Sequence, residues 1–317
     1  MKKISVVVIG FVGLVFWGLL AGMVWWKGAT GAPSKNEENV SFLITKGSGA
    51  EKIGRNLKET GLIKSAFAFK VYLQVYGLAT KVPPGEFELT GNLTLGEIVE
   101  TLLKGPTELW ITVPEGLRRE EVVEKFIEGL GLTDEEAVSL RKEFLAESVG
   151  MEGYLFPDTY LFPKDIQASR VVNVMRSTFE KKFPGGSEEA VILASILERE
   201  TLTAKERPVV AGILMNRLNN DWPLQADATI QYALGEPGKW WPRPLTRADL
   251  EINSLYNTYK FIGLPPGPIA NPGLTSLNAA ANPEETEYWY YIHDTDGVIH
   301  YAETLEEHNQ NVQMYLR

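Results

Sequence analysis

The chain has 317 residues, of which 44% are hydrophobic and 23% charged, an ordinary globular composition and a length sufficient for about two domains. Its net charge of -10 argues against nucleic acid as a partner, because phosphate binding needs clustered Lys and Arg. The absence of cysteine excludes disulfide bonds, a thiolate nucleophile and cysteine-ligated zinc. The spacing of the histidines does not match a helical metal-binding pair, so we expect neither a metal nor another cofactor. They are His293, His300 and His308.

An uncharged, apolar run occupies residues 4–26 and ends in the pair Trp25-Trp26. At about 1.5 Å per helical residue, the run is long enough to cross the roughly 30 Å core of a bilayer. A cleaved signal peptide is the alternative, but its apolar core would be about 7 to 15 residues and would end in small residues. The run therefore predicts an uncleaved transmembrane helix.

The charges beside this run predict its orientation. Lys2 and Lys3 precede it, whereas residues 28–39 carry an acidic pair. Because Lys and Arg accumulate on the cytoplasmic side of a membrane span, we predict that residues 1–27 form a cytoplasmic tip and a single-pass anchor in the cell membrane. Residues 28–39 are then a linker, and the remainder of the chain is extracytoplasmic.

Residues 40–108 are predicted to form a small α/β module. The predicted elements are a strand at 40–44, a helix at 50–60, a second helix through 67–73, a turn and strand at 83–89, and a helix at 94–104. Thr94, followed three residues later by Glu97, matches the capping box that begins a helix. The module has no catalytic group of residues, so a spacer and a carbohydrate-binding module are its two interpretations.

Residues 109–317 are predicted to form a mixed α+β domain. Its predicted elements are a strand at 108–113, helical structure at 118–147, an aromatic-rich loop at 152–160, a helix ending at 218, a Pro-rich loop at 263–273, a hairpin of 288–292 with 298–301, and a final helix. Long loops in compact domains are usually functional. The Pro-rich loop is therefore expected to lie near a functional site.

The helix that ends at Glu200 holds the candidate catalytic residue. Ser187 is suited to cap its N-terminus. At 100° per residue, Ile196 and Leu197 belong to one apolar stripe, and Glu200 lies in the middle of that stripe. Glu198 points away from it.

A carboxyl held among Leu and Ile side chains resists ionisation, which raises its pKa and suits it to act as a general acid. The alternative is an internal ion pair between Glu200 and Arg217, which lies on the apolar face of the next predicted helix. Because buried charges are normally paired, the residue pattern alone leaves both interpretations open.

Five separate blocks, in the correct order, resemble the endolytic murein transglycosylase family, also called MltG or YceG-like. The blocks are EGYLFPDTY at 152–160, ASILERET at 194–201, NRL at 216–218 with Leu224, Gln225 and Asp227, YNTY at 256–259, and GLPPGPIANPG at 263–273. The resemblance covers nearly the whole chain and implies an N-terminal anchor, a LysM-like module at 40–108 and a catalytic domain at 109–317. The departures are small: Ala228 follows Asp227 where many members have Pro, and Ala226 replaces a common hydroxyl residue.

The resemblance implies that Glu200, the second glutamate of its E-x-E-T block, is the catalytic acid, in agreement with its helical position. The implied substrate is the glycan strand of peptidoglycan, cut endolytically between N-acetylmuramic acid and N-acetylglucosamine. Glu200 would protonate the departing oxygen and then take the proton of the muramic acid 6-hydroxyl, which leaves a 1,6-anhydro end. The residues expected to bind sugar are Gln225, Asp227, Tyr232, Asn257 and Tyr259.

Two other functions use the same residues. A hydrolase, in this case a muramidase, would use Asp227 as a second carboxylate beside Glu200, since ordinary glycosidases flank the scissile bond with two. A tethered binding protein without activity would recruit cell-wall enzymes through the LysM-like module, but it has no reason to keep Glu200 unpaired on an apolar face. The resemblance also implies coupling to penicillin-binding proteins and to the elongation or division machinery.

Overall fold

The computed structural model describes residues 2–45 and 47–316, and within them the chain forms an α+β structure of twelve α-helices and six β-strands. The chain divides into two compact units. The first contains the residues up to Trp110 together with Leu161–Asp165, and the second contains Ile111–Tyr160 and Ile166–Arg317.

Most of the elements before residue 113 belong to the first unit. The helices are α1 (Lys2–Thr30), α2 (Ala50–Glu59), α3 (Ala66–Val75) and α4 (Leu95–Lys104), and the strands are β1 (Asn39–Ile44), β2 (Gly85–Thr90), β3 (Glu108–Thr112) and, later in the chain, β4 (Thr159–Pro163). The strands form one sheet in the order β1-β2-β3-β4. The division between the units falls within β3 and β4.

The core of the first unit follows from strand alternation and from helix caps. β1 and β2 are antiparallel, with Phe42 opposite Phe87. Because successive strand side chains point to opposite faces, Phe42 is buried while its neighbour Leu43 is 46% exposed. At the start of α4, Glu97 accepts a 2.7 Å hydrogen bond from the Thr94 N–H, and the Thr94 hydroxyl accepts one from the Glu97 N–H. The predicted capping box is therefore confirmed.

The N-terminal helix α1 carries exposed apolar side chains along its described part. Trp17 is 68% exposed and Met23 is 72% exposed, whereas Ala29 is buried in the core of the first unit. Among the residues that the structure describes, we find no helix that is both long enough and apolar enough to cross a membrane. The predicted span at 4–26 falls in part on side chains outside that description, namely those of 4–12, 14 and 15.

The second unit contains the remaining elements. The helices are α5 (Arg119–Leu130), α6 (Asp134–Glu147), α7 (Ala168–Lys182), α8 (Glu188–Glu200), α9 (Arg207–Asn219), α10 (Asp227–Leu234), α11 (Leu274–Ala281) and α12 (Leu305–Tyr315), and the strands β5 (Tyr290–His293) and β6 (Ile299–Ala302) form the predicted hairpin. The helical structure predicted at 118–147 is confirmed as two helices, because Gly131 takes a left-handed conformation that ends α5. One prediction is corrected here: the predicted loop at 152–160 already enters β4 at Thr159.

Helix α8 lies at the centre of the second unit. The Ser187 hydroxyl caps it by accepting a hydrogen bond from the Ala190 N–H, as predicted. It packs against α9, α10 and α11, and every residue from 191 to 197 is buried. The prediction of one apolar stripe was therefore too narrow, since the middle of α8 is buried on every face, while its first turn is exposed. Ser195 shows how polar groups are accommodated there: its hydroxyl donates to the Ile192 carbonyl at 2.7 Å and accepts from the Ile269 N–H at 3.0 Å, which ties the Pro-rich loop to the helix.

Candidate active site

Glu200, the last residue of α8, lines a cavity of about 580 Å³ in the second unit. The Tyr291 hydroxyl donates a hydrogen bond of 3.0 Å to Glu200 Oε2, and the Ala228 N–H lies 3.5 Å from Oε1. The polar side chains that line the cavity are Arg199, Glu200, Asp227, Gln231, Arg243 and His293. Its volume is within the range of about 300 to 1,000 Å³ that is typical of ligand sites.

The surroundings of Glu200 favour its protonated form. Burial raises the pKa of Glu200, and the nearby Asp227 raises it further, whereas the hydrogen bond from Tyr291, the Ala228 N–H and the Arg243 charge lower it. Burial also raises the pKa of the Tyr291 hydroxyl, so this hydroxyl stays protonated and serves as a donor. A carboxylic acid that keeps its proton near neutral pH can deliver it to a ligand in the cavity.

The alternative ion pair between Glu200 and Arg217 does not form. The Arg217 guanidinium donates to two carbonyl groups instead, at 2.7 and 3.0 Å to Trp289 and at 2.6 Å to Leu224. None of the ion pairs among the described residues includes Glu200. The carboxyl is therefore buried without an ion pair and is held by hydrogen bonds.

Glu198, two residues earlier, is held quite differently. Its carboxylate forms an ion pair of 2.8 Å with Arg207 and accepts hydrogen bonds from the Gly273 N–H at 2.9 Å and the Ser276 hydroxyl at 2.7 Å. The side chain is only 6% exposed. The sequence correctly directs Glu198 away from the side of Glu200, but the structure buries it in a polar network rather than leaving it on the surface.

Asp227 and Tyr259, two of the five predicted sugar-binding residues, lie together beside Glu200. Asp227, the first residue of α10, lines the cavity, and its Oδ1 accepts a 2.6 Å hydrogen bond from the Tyr259 hydroxyl. Gln225 is exposed, has a φ of 52° and lies two residues before Asp227. Sugar binding by these three residues stays a prediction.

The other two predicted residues are engaged in packing. Asn257 is fully buried, and its side-chain amide donates to the carbonyls of Leu250 and Ile252 at 2.9 Å. Tyr232 packs against Tyr256, with ring centroids 4.9 Å apart, and lies under a guanidinium group, that of Arg118. Of the five predicted residues, only Asp227 is among those that line the cavity.

Several residues of this cavity are not predictable from the sequence. Tyr291 belongs to the predicted hairpin, but its contact with Glu200 spans 91 residues of chain and no local pattern indicates it. Gln231, Arg199 and Arg243 also line the cavity. A helical projection from Asp227 through Gln231 gives the one available signal, because residues four apart in a helix lie on the same face.

Comparison with known proteins assigns the family. The chain belongs to the YceG-like family, whose sequence model matches residues 42–314. It is 32% identical over 315 residues to a Bacillus subtilis protein named endolytic murein transglycosylase, across 89% of this chain and 86% of that protein. A Streptococcus pneumoniae protein of the same name is 28% identical over 324 residues, but this chain spans only 59% of its length. The crystal structure of a YceG-like protein from Listeria monocytogenes superposes with a TM-score of 0.61 at 27% identity, over 86% of this chain and 99% of that one.

Proposed function

We propose that the protein is a lytic transglycosylase that cleaves peptidoglycan glycan strands within their length, with Glu200 as the general acid and then the general base. One observation carries the proposal: Glu200 is a carboxyl with a raised pKa and no ion pair, and it lines a cavity large enough for a sugar ligand. The names of the Bacillus subtilis and Streptococcus pneumoniae relatives support the choice of reaction and substrate.

The proposed reaction proceeds in two proton transfers. The protonated Glu200 gives its proton to the glycosidic oxygen as the bond from muramic acid C1 to that oxygen breaks. The Glu200 carboxylate then takes the proton of the muramic acid 6-hydroxyl while that oxygen bonds to C1. The 6-hydroxyl belongs to the same sugar and therefore acts at a high effective concentration. The product is a 1,6-anhydro end, and no water is consumed.

Neighbouring groups fit this sequence of steps. The Tyr291 hydroxyl donates to Glu200, which orients the acid and stabilises the carboxylate that the first step leaves behind. Asp227 lines the same cavity, and its negative charge favours the positive charge that develops on the sugar ring. Gln225 and Tyr259 are proposed to contact the sugar beside it.

The origin of the oxygen atom at the new chain ends tests the proposed reaction. Sacculi are digested in water labelled with heavy oxygen, and the products are analysed by mass spectrometry. Transglycosylation leaves the new ends unlabelled, and its products are one water lighter than hydrolysis products. The Glu200→Gln variant should form no such ends. Labelled reducing ends as the main product would contradict the lytic mechanism.

A muramidase is the second candidate, and one observation favours it. Asp227 and Glu200 line the same cavity, and the charge of Asp227 raises the pKa of Glu200, as expected for a pair of carboxyls that flank a scissile bond. In that mechanism Asp227 assists water or attacks C1, so hydrolysis would label the reducing ends and Asp227→Asn would abolish the labelling. Unlabelled ends from both the native enzyme and the Asp227→Asn variant would eliminate this candidate.

We also propose that α1 anchors the protein in the cell membrane, with residues 1–27 as a cytoplasmic tip and span and the chain from residue 28 onward outside. The uncharged run at 4–26 and the exposed apolar side chains of α1 support this arrangement. Protease added to intact spheroplasts should then remove the extracytoplasmic part. Complete protection of the chain would overturn the orientation.

Residues 40–108 are proposed to act as a LysM-like module that positions glycan strands for the catalytic domain at 109–317. Its deletion should slow the digestion of intact sacculi more than that of short glycan fragments, because remote contacts act by positioning the substrate. Equal rates on sacculi with and without the module would identify it as a spacer. Coupling to penicillin-binding proteins and to the elongation or division machinery belongs to the same proposal, and cross-linking in cells tests it.

A further inference from the structure

Two arginine side chains line the same cavity as Glu200 without a carboxylate partner. Neither Arg199 nor Arg243 takes part in an ion pair among the residues that the structure describes. Burial is the main cause that lowers the pKa of Arg199. The charge of Arg243 lowers it too, whereas the charges of Glu121, Glu198 and Glu200 raise it. Two like charges near each other repel, so the binding of an anion between them is favourable.

The other enclosed arginines described in the second unit are held by a carboxylate or by short hydrogen bonds to carbonyl groups. Arg207 pairs with Glu198 at 2.8 Å, Arg118 pairs with Glu120 at 3.3 Å, and Arg217 donates to carbonyl groups. Arg199 instead stacks over the Trp241 ring at 3.8 Å, and its one hydrogen bond is a long one of 3.4 Å to the Gly116 carbonyl. The ring fixes the plane of the guanidinium and leaves its donors available.

Two buried atoms of the cavity-lining side chains also lack a hydrogen-bond partner. These atoms are Nε of Arg199, a donor, and Oε1 of Gln231, an acceptor. Gln231 is only 2% exposed. Buried polar atoms are normally satisfied, so an unfilled donor and an unfilled acceptor on two side chains that line one cavity point to a ligand whose binding turns these groups toward it.

The other charged groups of the cavity do not supply that ligand. Asp227 accepts from the Tyr259 hydroxyl, and His293 lies 3.0 Å from Glu206. While Glu200 is protonated, the two guanidinium groups face the single carboxylate of Asp227. Among the lining side chains the guanidinium groups then outnumber the carboxylates. The nearby carboxylates of Glu121 and Glu198 lie outside the lining and are engaged by the Trp241 Nε1–H at 2.9 Å and by Arg207 at 2.8 Å.

We propose that Arg199, Arg243 and Gln231 form a subsite for the peptide stem of a muramyl residue, with the two guanidinium groups binding a stem carboxylate and Gln231 accepting a stem amide N–H. The inference rests on the proposed function and adds to it a preference for peptide-bearing strands over bare ones. A guanidinium fork matches a carboxylate in geometry as well as in charge. A bare strand still offers the lactyl carboxylate and the acetamido N–H of muramic acid, but it lacks the peptide N–H groups and the carboxylates of the stem.

The test measures binding in a catalytically silenced background. Three probes are titrated into Glu200→Gln protein by ligand-observed NMR: N-acetylmuramyl-L-alanyl-D-glutamate, its neutral carboxamide, and N-acetylmuramic acid with a free lactyl carboxylate. The charged dipeptide should bind about 10- to 100-fold more tightly than the carboxamide, the ratio expected from hydrogen bonds to charged groups. Equal affinity for these two would overturn the subsite, and equal affinity for N-acetylmuramic acid would overturn its assignment to the stem.

Substitutions locate the effect within the cavity. Arg243→Gln, in the same background, should reduce the affinity for the charged dipeptide to that for the carboxamide. Arg243 is exposed, so its substitution leaves the fold intact, and the matched control Arg247→Gln removes an exposed charge from the same segment outside the cavity. Equal losses in the two variants would show a general charge effect and contradict the subsite. Because Glu200 is already replaced, a change in its pKa cannot explain the result.

The digestion of sacculi by the native protein is measured separately. Charge-dependent binding without any digestion would refute the proposed reaction and leave the subsite standing. Digestion together with charge-independent binding would refute the subsite alone.

Discussion

Glu198 and Glu200 lie two residues apart on α8, yet the regions around them differ in every partner. The Glu198 region provides a cation and two hydrogen-bond donors, all from the segments at 207 and 273–276. The Glu200 region provides one tyrosine hydroxyl, one distant backbone N–H and an open cavity. An ion pair stabilises the charged form of a carboxyl, whereas burial without one stabilises the neutral form.

The comparison shows that burial alone does not define a catalytic acid. Glu152 is buried too, and burial raises its pKa to about 8, yet it accepts hydrogen bonds from the Arg119 N–H and from Asn271 and does not line the cavity. Of the three carboxyls, only Glu200 combines a raised pKa with access to a ligand.

The largest expected effect is on the rate. Glu200→Gln should lower the release of soluble fragments from sacculi by about 100- to 10,000-fold, the usual contribution of a general acid, with the fold retained as judged by circular dichroism. Glu198→Gln should stay largely active per folded molecule, because it removes no transferable proton. If the two variants lost activity equally, the contrast between the two regions would fail.

The next effect is on stability. Glu198→Ala should lower the free energy of unfolding by about 3 kcal/mol, because it leaves Arg207 without its closest carboxylate, and the loss of one member of a buried pair is costly. Denaturant titration measures this change. Glu189→Ala, an exposed glutamate of the same helix, is the matched control and should change stability by about 0.5 kcal/mol or less.

A smaller effect concerns the pH dependence of stability. The folded state raises the pKa of Glu152 from 4.5 to about 8, so between these values the folded protein holds a proton that the unfolded chain has lost. The stabilising contribution is complete below the lower value and disappears as the pH rises through the upper one. Glu152→Gln should remove about 2 kcal/mol of this decline between pH 5 and about pH 6.5, measured as the unfolding free energies at those two pH values. An unchanged dependence of the unfolding free energy on pH would show that a group other than Glu152 causes the decline.

The smallest expected effect is a shift in the pH dependence of activity. The hydrogen bond from Tyr291 lowers the pKa of Glu200, so Tyr291→Phe should raise that pKa. Activity needs the protonated acid, so the alkaline limb of the kcat/KM profile should move to higher pH. Tyr290→Phe in the same strand should leave the limb in place, and a shift in both variants would indicate a change in the hairpin rather than in the hydrogen bond.

Local interactions were predictable from the sequence, and contacts between distant segments were not. The caps at Ser187 and Thr94 depend on neighbours three residues away, and both form. The directions of Glu198 and Glu200 on α8 were also predictable, because they depend only on the angle between nearby residues of one helix. The pairing of Glu198 with Ser276 spans 78 residues and the contact of Tyr291 with Glu200 spans 91, so no local period reveals them. The burial of Asn257 was not predicted, because its side chain donates to the carbonyls of Leu250 and Ile252 on a neighbouring turn, and no sequence pattern indicates that contact.

The distance along the chain between Glu200 and Tyr291 also has a consequence for biosynthesis. A ribosome adds residues from the N-terminus onward, so α8 is complete well before β5 has been made. Throughout that interval the carboxyl lacks the hydroxyl that orients it. The acid therefore reaches its final surroundings only after the 91 residues that separate it from Tyr291 have been made as well.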